Sequence, residues 1–190
     1  VTSNTNFTND KVVANGCPRE KTAIIPECLS VDEYPMADPA GRKARTVLTV
    51  GRLVEKKGHR YALEAIAALA PKYPDLEYVV AGDGPLRNSL ETYAAELGVA
   101  DRTRFLGACD YATVRELYAA ATVFTLPSVT ASNGDREGQG LVLQEAQARG
   151  MPVVTTRHNG IPDGVRDGET GFLVEEKDSA ALADRLATLL

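Results

Sequence analysis

Two glutamates eight positions apart enclose two glycines in the stretch REGQGLVLQEAQARGMPVV, residues 136–154. Glu137 precedes Gly138 and Gly140, and Glu145 lies inside the helix predicted by the segment GLVLQEAQARG. The free amides at a helix N-terminus bind phosphate, and glycine lets the backbone approach a ligand closely. Glu145 would lie about 7–8 Å along the helix axis from Gly140, so a diphosphate at the helix tip would have a carboxylate on either side.

Carboxylates of this kind accept hydrogen bonds from sugar hydroxyls. The spacing therefore favours a nucleoside-diphosphate sugar as ligand, with one acid for the hexose and one for the ribose. Taken singly, each acid has a simpler interpretation, since Glu137 could favour the helix dipole and Glu145 could be solvated. The glycines and the long loop before them, residues 127–140, favour function.

Two cations follow the first strongly predicted strand, TVLTV, in the segment GRLVEKKG. Arg52 offers a planar fork to phosphate oxygens, and Lys57 offers a mobile point charge. Because ligands of open parallel sheets bind at the carboxyl ends of the strands, we expect both cations at the same edge as Glu137. Ordinary surface charge is the alternative, and it is the expected role of Glu55 and Lys56.

The remaining candidate motifs carry little chemistry. His59 is interpreted as a polar residue at a helix start, and a structural role is favoured for His158, which has no partner evident in the sequence. AGDGPLR has Arg87 in place of the third glycine of a GxGxxG motif, so we expect a strand-to-helix turn there. HExxH, GxSxG, DxD and P-loop lysine motifs are absent. A bound diphosphate would therefore be held by side-chain cations and amides, without a metal.

Composition excludes several classes of protein. The chain has 190 residues, of which 44% are hydrophobic and 25% charged, as in soluble globular domains. With 21 basic and 26 acidic residues its net charge is −5, a poor match for nucleic-acid binding. No run is long enough for a membrane span, and no signal peptide opens the chain. Three well-separated cysteines are expected to be reduced thiols of a cytosolic protein.

Short β-rich runs alternate with helical stretches almost throughout, which predicts βαβ units. The predicted fold is α/β, a Rossmann-like parallel sheet with helices on both faces over residues 45–190. Residues 1–44 are interpreted as a lead-in with one strand, in KTAIIP. The polar start is interpreted as an excised segment, and further protein is expected after the last helix, which has no cap.

In its motifs the sequence resembles the C-terminal, donor-binding half of a GT-B fold, family 4 (group 1) retaining glycosyltransferase. The resemblance spans nearly the whole chain and rests on GRLVEKKGH, YVVAGDGPLRNSLE, RFLG, the two glutamates, GIPDGVRDGETGFLV and the linker-like KTAIIPECLSVDEYP. The GDREGQG version is similar to that of enzymes of exopolysaccharide and colanic-acid-like assembly. The N-terminal acceptor domain of such an enzyme would be missing from this chain.

The resemblance also implies residue roles. Arg52 and Lys57 would bind the donor diphosphate, Glu137 the transferred sugar and Glu145 the ribose hydroxyls, with the first three forming the catalytic set. The remaining donor contacts would come largely from the main chain. Cys109 would contact the base, and the segment after Glu137 would contact phosphate and sugar: Gly138, Gln139, Gly140 and Leu141. The family more often has phenylalanine or leucine at Gln139 and methionine at Gln147, which concerns sugar preference.

What the resemblance implies is a retaining transferase that moves a hexosyl group from a nucleotide sugar to a saccharide or lipid-linked saccharide acceptor. The acceptor would be bound mainly by the missing domain, and no cofactor, essential metal or nucleic acid is expected. A cytoplasmic location is expected, compatible with peripheral association of the full-length enzyme with the inner face of the membrane. The fragment alone is expected to be inactive.

Two alternatives remain open at this point. One is a nucleotide-sugar-binding module without transfer activity, which the fragment alone would resemble. The other is an epimerase or phosphorylase that shares the GT-B architecture. A phosphorylase would need a lysine that forms a Schiff base with its cofactor, and no residue of the sequence marks one. An epimerase would release free sugar without any acceptor.

Overall fold

The computed structural model describes residues 1–190, and the lead-in contains more structure than the single strand predicted for it. Strand β1 (Thr2–Ser3), helix α1 (Asn6–Ala14) and strand β2 (Ala23–Ile24) form a small βαβ unit with a parallel strand pair. Thr5 caps α1 by accepting a hydrogen bond from the Thr8 amide. The sequence gives no helical signal here because the apolar residues of α1 do not gather on one face, and only Asn9 is buried.

The central sheet contains six strands, all from residue 46 onwards: β3 (Thr46–Val50), β4 (Glu77–Ala81), β5 (Thr103–Gly107), β6 (Val123–Leu126), β7 (Val153–Thr156) and β8 (Gly171–Val174). Five helices connect or follow them: α2 (His59–Leu69), α3 (Arg87–Glu96), α4 (Tyr111–Ala120), α5 (Leu141–Ala148) and α6 (Ser179–Leu189). Between β7 and β8 only a short 3-10 turn, Ile161–Asp163, is formed.

All six strands are parallel and lie in the order β5-β4-β3-β6-β7-β8. The chain builds one half of the sheet outward from β3, returns to pair β6 with β3, and then builds the other half. This is the doubly wound order with a topological switch point between β3 and β6. The predicted Rossmann-like sheet is confirmed.

Alternate side chains of each strand enter two hydrophobic cores, one on either face of the sheet. Val47 packs into the core beneath α2, α3 and α6, whereas Leu48 packs into the core beneath α4 and α5. In α2, buried Ala62, Ala65 and Ile66 recur at helical spacing and fix which face meets the sheet. The helices thus cover both faces, which leaves the two edges of the strands for loops.

Buried threonine hydroxyls fasten neighbouring strands to one another near their carboxyl ends. Thr49 Oγ1 donates to Thr125 O (2.7 Å), Thr125 Oγ1 to Val154 O (2.9 Å) and Thr155 Oγ1 to Leu126 O (2.6 Å). Each hydroxyl is fully buried and would cost free energy if unpaired. These bonds give the loops at this edge a rigid base.

The helices are short, and none has the length and apolar character needed to cross a membrane. All three cysteines, Cys17, Cys28 and Cys109, are free thiols.

The first residue of α2, His59, makes folding stability depend on pH. Its Nε2 donates to Arg52 O (3.0 Å), and burial lowers the pKa of the ring from 6.5 to about 4. As pH falls, the ring therefore becomes protonated near pH 6.5 in the unfolded chain but only near pH 4 in the folded chain. Stability is lost as pH falls through this window, and the share of His59 is about 3 kcal/mol.

Urea unfolding of the wild type and of His59→Leu between pH 7 and pH 4 measures this share. We expect the free energy of unfolding to fall less steeply in the variant, because leucine has no proton to gain. Parallel pH profiles for the two proteins would contradict the buried, neutral state of His59.

Candidate functional site

Two loops meet at the switch point, one after β3 (residues 51–58) and one after β6 (residues 127–140). Gly58 makes the meeting possible because its φ is 68° and an added Cβ would lie 1.8 Å from Pro127 O. Only glycine combines the left-handed conformation with so close an approach of two backbones. The crevice between β3 and β6 is where ligands bind in open α/β sheets.

Lys57 and Glu137 form an ion pair across this crevice, one from each loop. Their side chains are only 15% and 14% exposed, so the pair is largely withdrawn from water. A buried pair of this kind contributes little net stability, although removal of one partner costs about 3–5 kcal/mol. Stability alone therefore gives no reason to place the pair here, which favours a role in binding.

Glu137 retains hydrogen-bonding capacity in this arrangement. One carboxylate oxygen binds Lys57 Nζ and the other accepts from the Gly138 amide at 3.1 Å. Because a carboxylate has about four lone-pair positions, roughly two stay free for other donors. Lys57 likewise has three N–H donors and can bind Glu137 and an anion together.

Helix α5 begins directly behind this pair and presents free amides to it. Gly140 is its N-cap, with a φ of 71° and no side-chain cap. Four consecutive backbone amides here have no acceptor within the protein, one before the N-cap, that of the N-cap itself and the two that follow it: Gln139, Gly140, Leu141 and Val142. Four consecutive free amides at a helix N-terminus are the donors that the predicted anion site requires, and the anion itself stays a prediction.

Arg52 lies on the same loop as Lys57, is exposed and has no ion-pair partner. A hydrogen bond from Lys56 lowers the pKa of Asp135, and the positive charge of Arg52 contributes to this shift, which places the guanidinium near the second loop. Lys56 pairs with Asp135 at 3.1 Å and thus has the structural role expected of it. Arg52 is therefore free to bind an incoming anion.

Glu145 is buried, 8% exposed, rather than solvated. The Tyr118 hydroxyl donates to its Oε2 at 2.8 Å, and its Oε1 has no donor within the protein. Burial raises the pKa of Tyr118, and the charge of Glu145 raises it further, so the phenol stays a donor. Tyr34 is hydrogen-bonded to Tyr111 and lies within reach of the same carboxylate. Glu145 is therefore held in place and keeps acceptor capacity at Oε1.

The side chain of Gln139 faces the linker instead of the crevice. Its Nε2 donates to Glu27 O (2.8 Å) and its Oε1 accepts from the Glu27 amide (2.9 Å). The main-chain contact predicted for Gln139 does not involve this side chain and stays a prediction. The Gln139 amide remains among the free ones.

Cys109 lies apart from these residues, in the loop after β5. Its thiol contacts Gly107 O at 3.5 Å and forms no hydrogen bond with any other predicted site residue. Its predicted role, contact with a base through the main chain, stays a prediction. Nowhere in the chain do three or more His, Cys, Asp or Glu side chains gather as a metal site would require.

Sequence reasoning favoured a structural role for His158 without a partner and did not single out Asn159 or Glu176. His158 and Asn159 bind the main chain of Glu137, and Glu176 binds His158. Two of them lie in the loop after β7, TTRHNGIP, which is at the predicted functional edge. The position of this loop at the carboxyl edge of the sheet was the only hint in the sequence. The partner of His158, Glu176, lies 18 residues further along the chain. No local pattern reveals such a pair.

A cavity of about 670 Å³ lies between the beginning of α2 and helix α3. Its wall includes Tyr61, Ser89 and Tyr93 from the helices and Gly58 and Val129 from the two loops, but none of the predicted site residues. The cavity therefore does not decide the position of the site, whereas topology, free amides and paired charges point to the switch point. We give the chemistry more weight, since a diphosphate needs donors more than volume.

The chain has clear relatives. Residues 32–190 match the family model described as Glycosyl transferases group 1. AmsK of Erwinia amylovora, an amylovoran biosynthesis glycosyltransferase, is 35% identical over 181 residues, 94% of this chain and 44% of the relative. WcaL of Escherichia coli (strain K12), whose name assigns it provisionally to colanic acid biosynthesis as a glycosyltransferase, is 38% identical over 173 residues, 90% of this chain and 43% of the relative. The chain thus spans less than half the length of these curated relatives.

Solved structures match the fold. Anabaena Alr3699/HepE, crystallised with UDP, has a TM-score of 0.85 at 25% identity over 99% of this chain and 53% of its own. The C-terminal domain of LpcC, a group 1 glycosyl transferase of Francisella tularensis, has a TM-score of 0.73 at 26% identity. That match covers 85% of this chain and 87% of the domain.

Gly58 offers a test of the loop contact. Gly58→Ala should lower the free energy of unfolding by about 3 kcal/mol or more, because the methyl group would overlap Pro127 and the left-handed φ would be strained. Gly98→Ala is the matched control, since its φ is 71° with nothing within 4 Å. The control should lose only about 1 kcal/mol. Equal losses in urea unfolding would contradict the close approach.

Proposed function

The chain belongs to the group 1 glycosyltransferases, and we propose that it is the nucleotide-sugar donor-binding half of a retaining hexosyltransferase of exopolysaccharide synthesis. One observation carries the proposal: the Lys57–Glu137 pair lies at the β3–β6 switch point, beside the free amides that open α5. Phosphate and sugar hydroxyls need opposite chemistry, cationic or amide donors for the first and carboxylate acceptors for the second. The crevice offers both within a few residues.

The diphosphate would lie against the N-terminus of α5. The amides of Gln139, Gly140 and Leu141 would donate to its oxygens, with the main chain at Gly138 adjoining them. Arg52, exposed and free of partners, and Lys57, with donors to spare beside Glu137, would bind the same group from the other side.

The sugar parts would take the two carboxylates. Glu137 would accept hydrogen bonds from the hexose with the lone pairs that Lys57 and Gly138 leave free. Glu145 would accept from the ribose diol with Oε1, while Tyr118 holds Oε2. Their separation along α5 suits a nucleotide sugar that extends along the helix N-terminus, with the base toward the loop that contains Cys109.

The reaction breaks the bond between the anomeric carbon and a phosphate oxygen and forms a bond from that carbon to the acceptor hydroxyl oxygen. Negative charge develops on the departing diphosphate, where Arg52, Lys57 and the amides stabilise it. In the same-face route expected from the family, the departing phosphate oxygen takes the proton of the acceptor hydroxyl. Glu137 positions the sugar in this scheme and is not a nucleophile.

The relatives support the proposal at the level of substrate class. HepE was crystallised with UDP and UDP-glucose, and relatives in Mycolicibacterium smegmatis and elsewhere are named as GDP-mannose-dependent mannosyltransferases. The saccharide or lipid-linked acceptor, the work without metal or cofactor, the cytoplasmic location and the peripheral membrane association of the full-length enzyme belong to the same proposal. Base and hexose differ among the relatives, so both UDP and GDP donors enter the test.

Titration calorimetry of the 190-residue chain with UDP, GDP and ADP tests the site directly. We expect one of them to bind and Lys57→Met to weaken its binding about 10- to 100-fold, since a charge-assisted hydrogen bond contributes roughly 1.5–3 kcal/mol. Lys56→Met is the matched control, because that neighbouring lysine pairs with Asp135 instead, and it should bind nearly as the wild type does.

A second variant separates binding from folding. Lys57→Met alone leaves Glu137 without its partner and should destabilise the fold, whereas Lys57→Met combined with Glu137→Gln removes both charges and should recover stability. Affinity for the diphosphate should stay low in the double variant. Wild-type affinity in either Lys57 variant, or equal losses for Lys56→Met, would contradict the proposed site.

A further inference from the structure

His158, which follows β7, has a completely buried ring, yet both of its nitrogens are hydrogen-bonded. Nε2 accepts from the Glu137 amide at 3.0 Å, and Nδ1 lies 2.5 Å from Glu176 Oε1. The ring therefore connects the residue proposed to hold the hexose with a carboxylate beyond β8. A ring buried only to fill apolar space would not need a specific hydrogen-bond partner at each nitrogen.

The contacts fix the protonation state of the ring. A main-chain N–H can only donate, so Nε2 must carry a lone pair and the proton must reside on Nδ1, which donates to Glu176. Burial opposes ionisation of Glu176, but the hydrogen bonds from His158 and from the Thr130 amide outweigh it and keep its pKa below the usual value. The pair is therefore a neutral imidazole backed by a carboxylate.

Asn159 completes the hold on Glu137. Its Nδ2 donates to Glu137 O at 2.8 Å, and its φ of 45° lies in the left-handed region. The amide of Glu137 is thus bound by His158, its carbonyl by Asn159, and its carboxylate by Lys57 and Gly138. Every polar group of this glutamate has a partner.

Glu176 also ties the network to the long loop. Its Oε2 accepts from the Thr130 amide at 2.8 Å, so the loops after β6, β7 and β8 are joined through one carboxylate and one ring. The strands beneath are joined by hydrogen bonds of the threonine hydroxyls. The Glu176 carboxylate and the His158 ring therefore connect the turn at Glu137 to a rigid sheet.

We propose that His158, held in one tautomer by Glu176, is a positioning residue that fixes the main chain of Glu137. Its bond to the Glu137 amide sets where the carboxylate points and where the free amides of residues 139–142 aim. Neither His158 nor Glu176 touches the donor. This inference rests on the proposed function of the site, but the hold on the Glu137 amide can be measured without any ligand.

Three variants test the inference. His158→Leu removes all three hydrogen bonds of the ring, to the Glu137 amide, to the side-chain amide of Asn159 and to Glu176. His158→Gln can still accept from the Glu137 amide and donate to Glu176. Glu176→Gln keeps only one of its two bonds, to His158 or to Thr130. Leu186→Ala is the stability control, since Leu186 is fully buried in α6 on the other face of the sheet.

Hydrogen exchange of the Glu137 amide gives the ligand-free readout. We expect slow exchange in the wild type and His158→Gln, intermediate exchange in Glu176→Gln, and fast exchange in His158→Leu. Long-range proton–nitrogen spectra of the ring should show the Nδ1–H tautomer in the wild type. An Nε2–H tautomer, or unchanged exchange in His158→Leu, would overturn the inference.

Affinity for the best-binding nucleoside diphosphate among UDP, GDP and ADP gives the second readout. At a temperature where all variants are folded, His158→Leu should bind about tenfold more weakly, His158→Gln nearly as the wild type, and Leu186→Ala unchanged. Equal losses for leucine and glutamine at position 158 would mean that packing, not hydrogen bonding, matters, and would overturn the inference. If His158→Leu does not fold, His158→Gln and Glu176→Gln decide.

If the wild type binds none of the three diphosphates, the proposed function fails while the exchange experiment still decides the role of His158. The converse result, normal binding with an exchanging Glu137 amide in the wild type, would leave the function standing and refute the positioning role.

Discussion

The ion pair between Lys57 and Glu137 is the interaction on which the rest of the site depends. Two opposite charges withdrawn from water lose nearly as much hydration free energy as they gain from their attraction, so the pair adds little to stability. It can exist only because two loops meet where β3 and β6 lie side by side, and Gly58 lets them approach. In the proposed function, the cation would bind the phosphate groups of the ligand and the carboxylate would bind its sugar hydroxyls.

Buried polar groups add to the apolar packing that holds this edge of the sheet. Threonine hydroxyls fasten the strand ends, and the ring of His158 carries that order to Glu137. The lead-in is attached to the turn that opens α5, because Gln139 binds the main chain of Glu27. It is also attached to the 3-10 turn after β7, because the Asn6 amide donates to Asp163 Oδ2 at 2.7 Å. The turn that opens α5 is therefore held from both the sheet and the linker, while its amides stay free for an anion.

Much of this could be predicted from the sequence, and the reasons are local. The strand and helix pattern from residue 45 onwards is regular because each element buries one face, and the two glutamates with their glycines lie on one short segment. What could not be predicted depends on contacts across the chain. Glu145 is buried because Tyr118 comes from α4, and His158 finds its partner only beyond β8. The polar helix α1 leaves no periodic signal, since it buries almost nothing.

In the proposed function, a diphosphate binds the N-terminus of α5. It is tested most directly by proton–nitrogen correlation spectra of the labelled chain during titration with UDP, GDP and ADP. The account predicts that the largest and saturable shifts occur at the amides of Gln139, Gly140, Leu141 and Val142, followed by the Lys57 loop. Saturable shifts confined to the cavity between α2 and α3, at Ser89 and Tyr93, would contradict it.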